Sequence, residues 1–386
     1  MRPLVLAAAL GLACASPLAA EAPTAFGGRL TFGGEASFGI ASKDGGFFNY
    51  TDYDLNGMRL ARLALSAALR VEDRVWLLSE VRSENMGEPR AYALYLRLRP
   101  WRARRLDLQA GLIPPAFGAY PRRNYATDNF LIGAPLAYQY LTLLRPDAAP
   151  ATPADLFRMR ARGWLASYPL GNTTADRGLP LVNALRWDTG VQARAATDTV
   201  EVVGAVTVGT LSNPRTVTHD DNSGRQLSGR VALRPITGLV AGLSAARGAY
   251  ISRSLARLLP AGAGRSQTAW GADLEYSHAY WLARAEAVWS EWDLPTLDAR
   301  LRARGISAEG RYKLRPGLYA AGRVDHLGFS RVFGTTWDAP VRRIEIGGGW
   351  QVRRYVLLKA VVQDNRRDGG RWRSFRTGAV QLMFWF

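Results

Sequence analysis

Along most of the chain, apolar side chains recur at every second position. In "RLARLALSAALR", which starts at Arg59, Ala61, Leu63, Leu65, Ala67 and Leu69 share one side of an extended chain, while Arg62, Ser66 and Arg70 share the other. A period of two predicts a strand. "AYALYLRLRP" repeats it, with Tyr92, Leu94, Leu96 and Leu98 opposed to Ala93, Tyr95, Arg97 and Arg99. "RQLSGRVALRP" sets Leu227, Val231 and Leu233 against Ser228, Arg230 and Arg234. The same separation runs through "NALRWDTGVQAR", "AWGADLEYS", "GISAEGRYKLRP" and "RRIEIGGGWQVRR".

Run length decides what kind of sheet this is. Strands of soluble sandwiches average about five or six residues. Many runs here last roughly nine to thirteen, the length at which a tilted strand crosses a bilayer. The polar face is built from Gly, Ala, Ser and Arg, which suits a wet lumen. Trp187, Trp270, Tyr276, Trp281, Tyr312, Trp350 and Trp385 sit near the ends of runs, where an interfacial aromatic girdle is expected.

The connections alternate between tight ("RVEDR", "RPWRARR", "ATD", "RPITG", "YSHAY", "LRPGL", "VRRY") and long ("ASKDGGFFNYTDYDLNG", "SNPRTVTHDDNSG", "ARGAYISRSLARLLPAGAG"). Short periplasmic turns and longer extracellular loops are the pattern of a bacterial outer-membrane barrel. The expected fold class is therefore all-β, a transmembrane antiparallel β-barrel of about 16–18 strands. Counting tight turns inward from both ends favours eighteen, with "GAPLAYQYLTLL" (Gly133 to Leu144) as the additional descending strand that the parity requires; sixteen follows if that segment and one of the shorter strands are both spurious. In the closing "GAVQLMFWF", Gly378, Val380, Leu382, Phe384 and Phe386 form the lipid-facing side of the last strand.

Composition refines this picture. "MRPLVLAAALGLACASPLAAEA" has one basic residue, an apolar stretch and small residues, so residues 1–20 read as a signal peptide and 26–386 as a single barrel. Ala13–Ala15 fits the small-x-small cleavage rule, while a cut after Ala20 suits the composition around it. The single cysteine, Cys14, would suit a lipoprotein, but Gly11 stands where a lipobox needs a leucine-like side chain. With Cys14 removed, the mature chain has no disulfide, thiol nucleophile or CxxC metal site. No uninterrupted apolar run of about 18 residues follows the leader, so any crossing of a membrane is by strands.

A barrel of this size has room for an aqueous channel. Passive passage of small hydrophilic solutes is the expected function, and such a pore needs a constriction. The longest irregular stretch, "IPPAFGAYPRRNYATDNFLIG" from Ile113, is the candidate: its prolines exclude a regular strand and its length is unusual for a mere connection. Folded into the lumen, residues 113–134 would bring Tyr120, Arg122, Arg123, Tyr125 and Asp128 to the narrowest point. Alternation assigns Arg62, Arg97, Arg186, Arg230, Arg311, Arg323 and Arg343 to the lumen as well, against Asp188, Asp273, Glu275, Glu309, Asp325 and Glu345. An excess of arginine in a narrow aqueous path predicts a mild anion preference.

"LDLQAGLIPPAFG" resembles the "G…PFG" element that follows an early strand in the phosphate-selective porin O and P family, and "MRLARLALSAALRVEDRVWLLSEVRSE" is similar to that family's opening hairpin. The resemblance covers roughly residues 57–120 and the last strand. It implies a porin. It does not extend to phosphate specificity, because that family has a lysine-rich constriction and this chain has lysine only at Lys43, Lys313 and Lys359. The end of the chain also resembles the C-terminal signature of outer-membrane barrels, which implies recognition by the barrel-assembly machinery through the strand ending at Phe386.

The alternatives have less in the sequence to rest on. A barrel enzyme needs a base beside a nucleophile. Of the three histidines, His219 is in a polar loop and His278 in a tight turn, while His326 adjoins Asp325 on a strand, where neighbours face opposite ways. No enzyme, metal site, cofactor or nucleic-acid partner is expected. A non-conducting structural or receptor-like barrel is the alternative function. Outer-membrane lipid, lipopolysaccharide and small anionic or neutral solutes are the expected partners, with a homotrimer as the possible assembly.

Overall fold

A computed structural model describes residues 23–51, 56–101 and 105–386, with the backbone alone for Arg122; the expected signal peptide lies outside the described residues. Sixteen strands alternate in direction: β1 (Leu30–Ala41), β2 (Ala61–Glu72), β3 (Val75–Glu84), β4 (Arg90–Leu98), β5 (Leu106–Ile113), β6 (Asp188–Ala196), β7 (Val200–Thr207) and β8 (Gln226–Leu233). The second half comprises β9 (Leu239–Ala249), β10 (Ser266–His278), β11 (Trp281–Leu294), β12 (Ala299–Arg315), β13 (Leu318–Phe329), β14 (Val341–Arg353), β15 (Val356–Arg367) and β16 (Ser374–Trp385). Each pairs antiparallel with its neighbours, and β1 pairs with β16 from Glu35↔Trp385 to Ala41↔Ala379. That last ladder closes the ring. A two-residue strand at Thr24–Ala25 extends the edge beside β1. A closed ring has no free edge, which is the condition for strands in hydrocarbon.

Six of the seven expected tight turns are found, and all six lie at the end of the barrel that holds both chain termini; the seventh, "RPWRARR", includes residues 102–104, outside the described residues. At one of them Gly317 has φ +77, a left-handed conformation that glycine adopts without a Cβ clash. The period of two runs through the wall: Leu65, Leu227, Leu243, Val324, Ile346 and Val362 are exposed on the outside, while Arg62, Arg230, Arg323 and Arg343 are buried inside. Among the girdle candidates, Trp270, Tyr276, Trp281 and Trp350 are exposed outside.

Four expectations need correction. Gly133–Leu144 is not a strand. A single helical turn, α1 (Leu136–Gln139), follows Pro135, and all four of its residues are buried because protein surrounds them on every side. With this segment inside the ring, sixteen is the count. Trp187 is not on the girdle; it packs against Tyr92 and Tyr95 at ring separations of 5.1 and 6.2 Å. Trp385 also faces inward, in line with Glu35 across the seam and next to buried Met383 and Leu357. Tyr92 shows how a local irregularity reverses a face. Glu80 pairs with Ala93 and Val81 with Ala91, so Tyr92 is the extra residue of a β-bulge and turns inward.

Candidate pore constriction

The connection from β5 to β6, residues 114–187, does not stay outside the barrel. Its first part crosses the lumen, and wall side chains bind its backbone. The turn at Gly118 (φ +75) makes this possible: a Cβ there would lie 2.6 Å from the Tyr138 hydroxyl and 2.9 Å from Glu286 Oε1, so the close approach requires glycine. Glu286 of β11 accepts from the Ala119 N–H at 2.8 Å and from the Tyr138 hydroxyl at 2.6 Å. Ser244 of β9 accepts from the Gly118 N–H at 3.0 Å.

Farther along, the segment reaches the opposite wall. The Tyr125 hydroxyl donates to Glu80 of β3 at 2.7 Å, and Arg62 of β2 donates to the Asn124 carbonyl at 3.4 Å. Glu35 of β1 accepts from the N–H groups of Ala126 and Thr127, each at 3.2 Å. Lys359 of β15 is buried and donates to three carbonyls, those of Ala126 (2.5 Å), Asn129 (2.5 Å) and Leu131 (3.3 Å). Glu345 of β14 accepts from the Gly133 N–H at 2.9 Å, while Arg323 of β13 donates to the Gly133 carbonyl at 2.7 Å. Arg343 donates to the carbonyls of Ala134 (2.9 Å) and Phe48 (2.6 Å). A buried charge needs partners of this kind, because an unpaired one costs far more than it gains.

These contacts sort the sequence-predicted residues. Arg323 and Arg343 fasten the segment and each other's surroundings: Arg323 also bonds Glu345 at 2.5 Å and Asp325 at 3.2 Å, and it reaches Glu309 at 3.5 Å. Arg62 is paired with Glu84 at 2.8 Å. Arg230 grips Asp273 with two bonds of 2.6 and 3.1 Å and is neutralised in place. Arg97 shares Asp107 with Arg99 and remains partly accessible. Asp188 bonds the N–H groups of Gly209 and Arg215 and so serves the neighbouring loop. Arg186 lies before β6 instead of on it, and lines a cleft of about 200 Å³ on the long-loop side. Tyr120 is buried against Tyr138, with ring centroids 4.9 Å apart, and burial holds its hydroxyl well above the ordinary phenol range. The Arg122 side chain lies outside the described residues.

What remains accessible is a small cationic group around Phe130. Arg123 pairs with Glu275 at 2.8 Å, and burial lowers its basicity somewhat. Arg284 shares that carboxylate at 2.8 Å, lies 4.0 Å from the Phe130 ring centroid, and donates to the carbonyl of exposed Asp128 at 3.4 Å. Arg311 stands 4.6 Å from the same ring and has no carboxylate partner among the described residues. On the tight-turn side, a cavity of about 1010 Å³ opens beneath Thr127 and Phe130, with Arg311, Lys313 and Arg315 on its wall. Sequence reasoning overlooked Arg284, Lys359, Glu35 and Glu286. Each lies on the lumen face of its strand, which was the available signal.

Among the described residues no group of three or more His, Cys, Asp or Glu side chains could hold a metal ion. His326 faces outward on β13, His278 stacks on Tyr276 beside a tight turn, and His219 is near two threonine hydroxyls in an exposed loop.

No family model matches the chain, and no curated protein is similar to it. Likeness is found among solved structures. The anion-selective porin of Comamonas acidovorans superposes with a TM-score of 0.54 at 11% identity, over 92% of this chain and 99% of that one. The outer-membrane channel DcaP of Acinetobacter baumannii gives 0.53 at 12% identity, over 95% and 100% of the two chains. OmpT in its trimer form, an outer-membrane protein of Vibrio cholerae, gives 0.52 at 11%, over 92% and 99%. At these identities the likeness is one of fold: this chain has the barrel of the outer-membrane porins.

Proposed function

We propose that this chain is an outer-membrane channel for passive diffusion of small hydrophilic solutes, with a mild preference for anions. The observation that carries the reading is the crossing segment. A sixteen-strand barrel otherwise encloses a wide aqueous bore, and here residues 114–147 enter it and are bound by charged wall residues. Arg123, Arg284 and Arg311 cluster at the accessible face of that segment around one shared carboxylate, Glu275, and Glu309 is divided between Arg284 and Arg323. A local excess of positive charge in a confined path raises the concentration of anions there. The likeness to a barrel described as an anion-selective porin agrees with this reading. So does the likeness to a trimeric one with a homotrimer, in which part of the apolar outer wall would lie between subunits. Outer-membrane lipid and the barrel-assembly machinery, acting at Phe386, complete the proposed partners.

One observation favours a second reading. Phe130, Leu131 and Tyr138 are nearly fully buried within the lumen, which is the packing of a barrel closed at rest. A single experiment separates the two. The refolded protein is placed in a planar bilayer under a salt gradient, and conductance and reversal potential are measured. Steady conductance with anion preference, reduced severalfold by R123Q and R311Q together, supports the channel. A folded, heat-modifiable barrel that never conducts refutes the channel and leaves the closed reading standing.

A further inference from the structure

The outer wall carries a feature that the lumen does not explain. On β12 to β15, near the long-loop end, outward-facing basic side chains sit side by side: His326 pairs in register with Arg342, and Arg342 with Arg366. Arg304, on the adjacent strand, is directly opposite Gly328. Like charges placed directly across a sheet repel, so the directly opposed guanidinium groups of Arg342 and Arg366, with Arg304 close by, need an explanation. The nearby carboxylates are already occupied. Glu291 holds Arg302 at 2.5 Å and Arg300 at 3.4 Å, and Asp364 holds Arg366 at 2.9 Å and Arg376 at 3.2 Å. Asp368, at the far rim, reaches Arg160 at 3.9 Å. Arg304 and Arg342 have no carboxylate partner among the described residues.

These side chains frame a groove of about 790 Å³ that also includes Trp289. Its floor is Gly328, and the empty side-chain position there is bounded by His326 Nε2 at 3.1 Å and Arg304 Nε at 3.4 Å. Two nitrogens thus converge on one notch, and Arg342 stands beside it. The height of the notch is equally informative. With a rise of about 3.3 Å per residue and a tilt of about 40°, positions 304 and 326 stand roughly 20–28 Å from the tight-turn rim. That is the upper margin of an apolar band about 25 Å tall. Exposed Val324, Ile344, Ile346 and Val362 lie below the groove, where acyl chains would run.

We propose that this groove binds the phosphorylated headgroup of a glycolipid of the outer leaflet, with Arg304 and Arg342 as its principal contacts. Guanidinium groups bind phosphate oxygens bidentately, the notch accepts one phosphate, and the aliphatic wall below receives the acyl chains. The site lies outside the lumen, so it stands or falls independently of the channel reading.

The test uses the full mature chain in zwitterionic detergent and measures the thermal unfolding midpoint. The probes are bis-phosphorylated lipid A, its dephosphorylated form, phosphatidylglycerol and inorganic phosphate. A ligand that binds the folded barrel raises the midpoint in proportion to its concentration over Kd. The expected result is a rise with bis-phosphorylated lipid A that exceeds the rise with each other probe, and an affinity about tenfold or more weaker in R304Q/R342Q. R300Q/R376Q, which removes exposed arginines already paired to carboxylates, should bind as the parent does. Equal binding by the phosphorylated and dephosphorylated forms, or unchanged binding by R304Q/R342Q, overturns the proposal. A double variant that binds lipid normally but changes oligomeric state would assign the groove to a second copy of the chain, and would also overturn it.

Discussion

Replacing Lys359 by Met tests whether the crossing segment is held by specific charges or merely packed. The ammonium group donates to the carbonyls of Ala126, Asn129 and Leu131. Methionine nearly preserves the volume and removes all three bonds. A hydrogen bond to a charged group contributes about 1.5–3 kcal/mol, and orphaned buried carbonyls add their own cost, while removal of a buried charge returns part of it. A net loosening of residues 126–131 by about 3 kcal/mol is the reasonable sum. That would raise the population of the detached segment about 150-fold. Two assays read it. In single-channel recordings, K359M should show larger mean conductance and frequent transitions between levels; in limited proteolysis, cleavage within residues 120–134 should accelerate. If K359M folds, is heat-modifiable and matches the parent in both assays, the segment is not anchored by this ammonium, and the account of the constriction fails.

Three further outcomes are expected. G118A should lower the thermal midpoint and disturb conductance, because the left-handed backbone costs about 1–2 kcal/mol for alanine and its Cβ would press on Tyr138 and Glu286. The loop-side carboxyl of Asp338 is buried, accepts from the N–H groups of Leu143, Ala161 and Ala339, and is pushed by burial up to about 6. Its folded value is above the unfolded one, so the folded state binds the extra proton and stability falls as pH rises from about 4 to 6, by up to about 3 kcal/mol. D338N should flatten that part of the pH profile of the unfolding midpoint. Deleting Phe386 removes the N–H donated to Gly34 and the carbonyl that accepts from it, and should lower the yield of folded barrel in the membrane fraction.

The wall was legible in the sequence because lipid outside and water inside impose a period of two on every strand. The six described tight turns were legible because their residues do not continue either face. Alternation gives a side chain's face, not its partner, so it puts Arg323 and Arg343 on the inner face without marking them as fasteners. Lys359 and Glu286 were equally visible as lumen residues, but nothing local marks them as anchors for a segment more than 150 positions away in the chain. Gly133–Leu144 misled because a segment surrounded by protein is apolar on all sides, which looks like a strand when only length is available to judge it. Trp187 and Tyr92 were misplaced by a boundary and by a bulge, each a shift of a few residues that reverses which way a ring points.

The grip on Ala126 and Thr127 has a bearing on how the ring stays shut. Glu35 belongs to the first strand of the ring and Lys359 to the fifteenth, and both hold the same few residues from either side of the join between the first strand and the last. The segment is therefore a clasp on the inner side of that join. Parting β1 from β16 would draw Glu35 away from Lys359 and break bonds to the clasp along with those of the ladder, so the place where the two ends of the chain meet is held by a third piece of chain as well as by its own pairing.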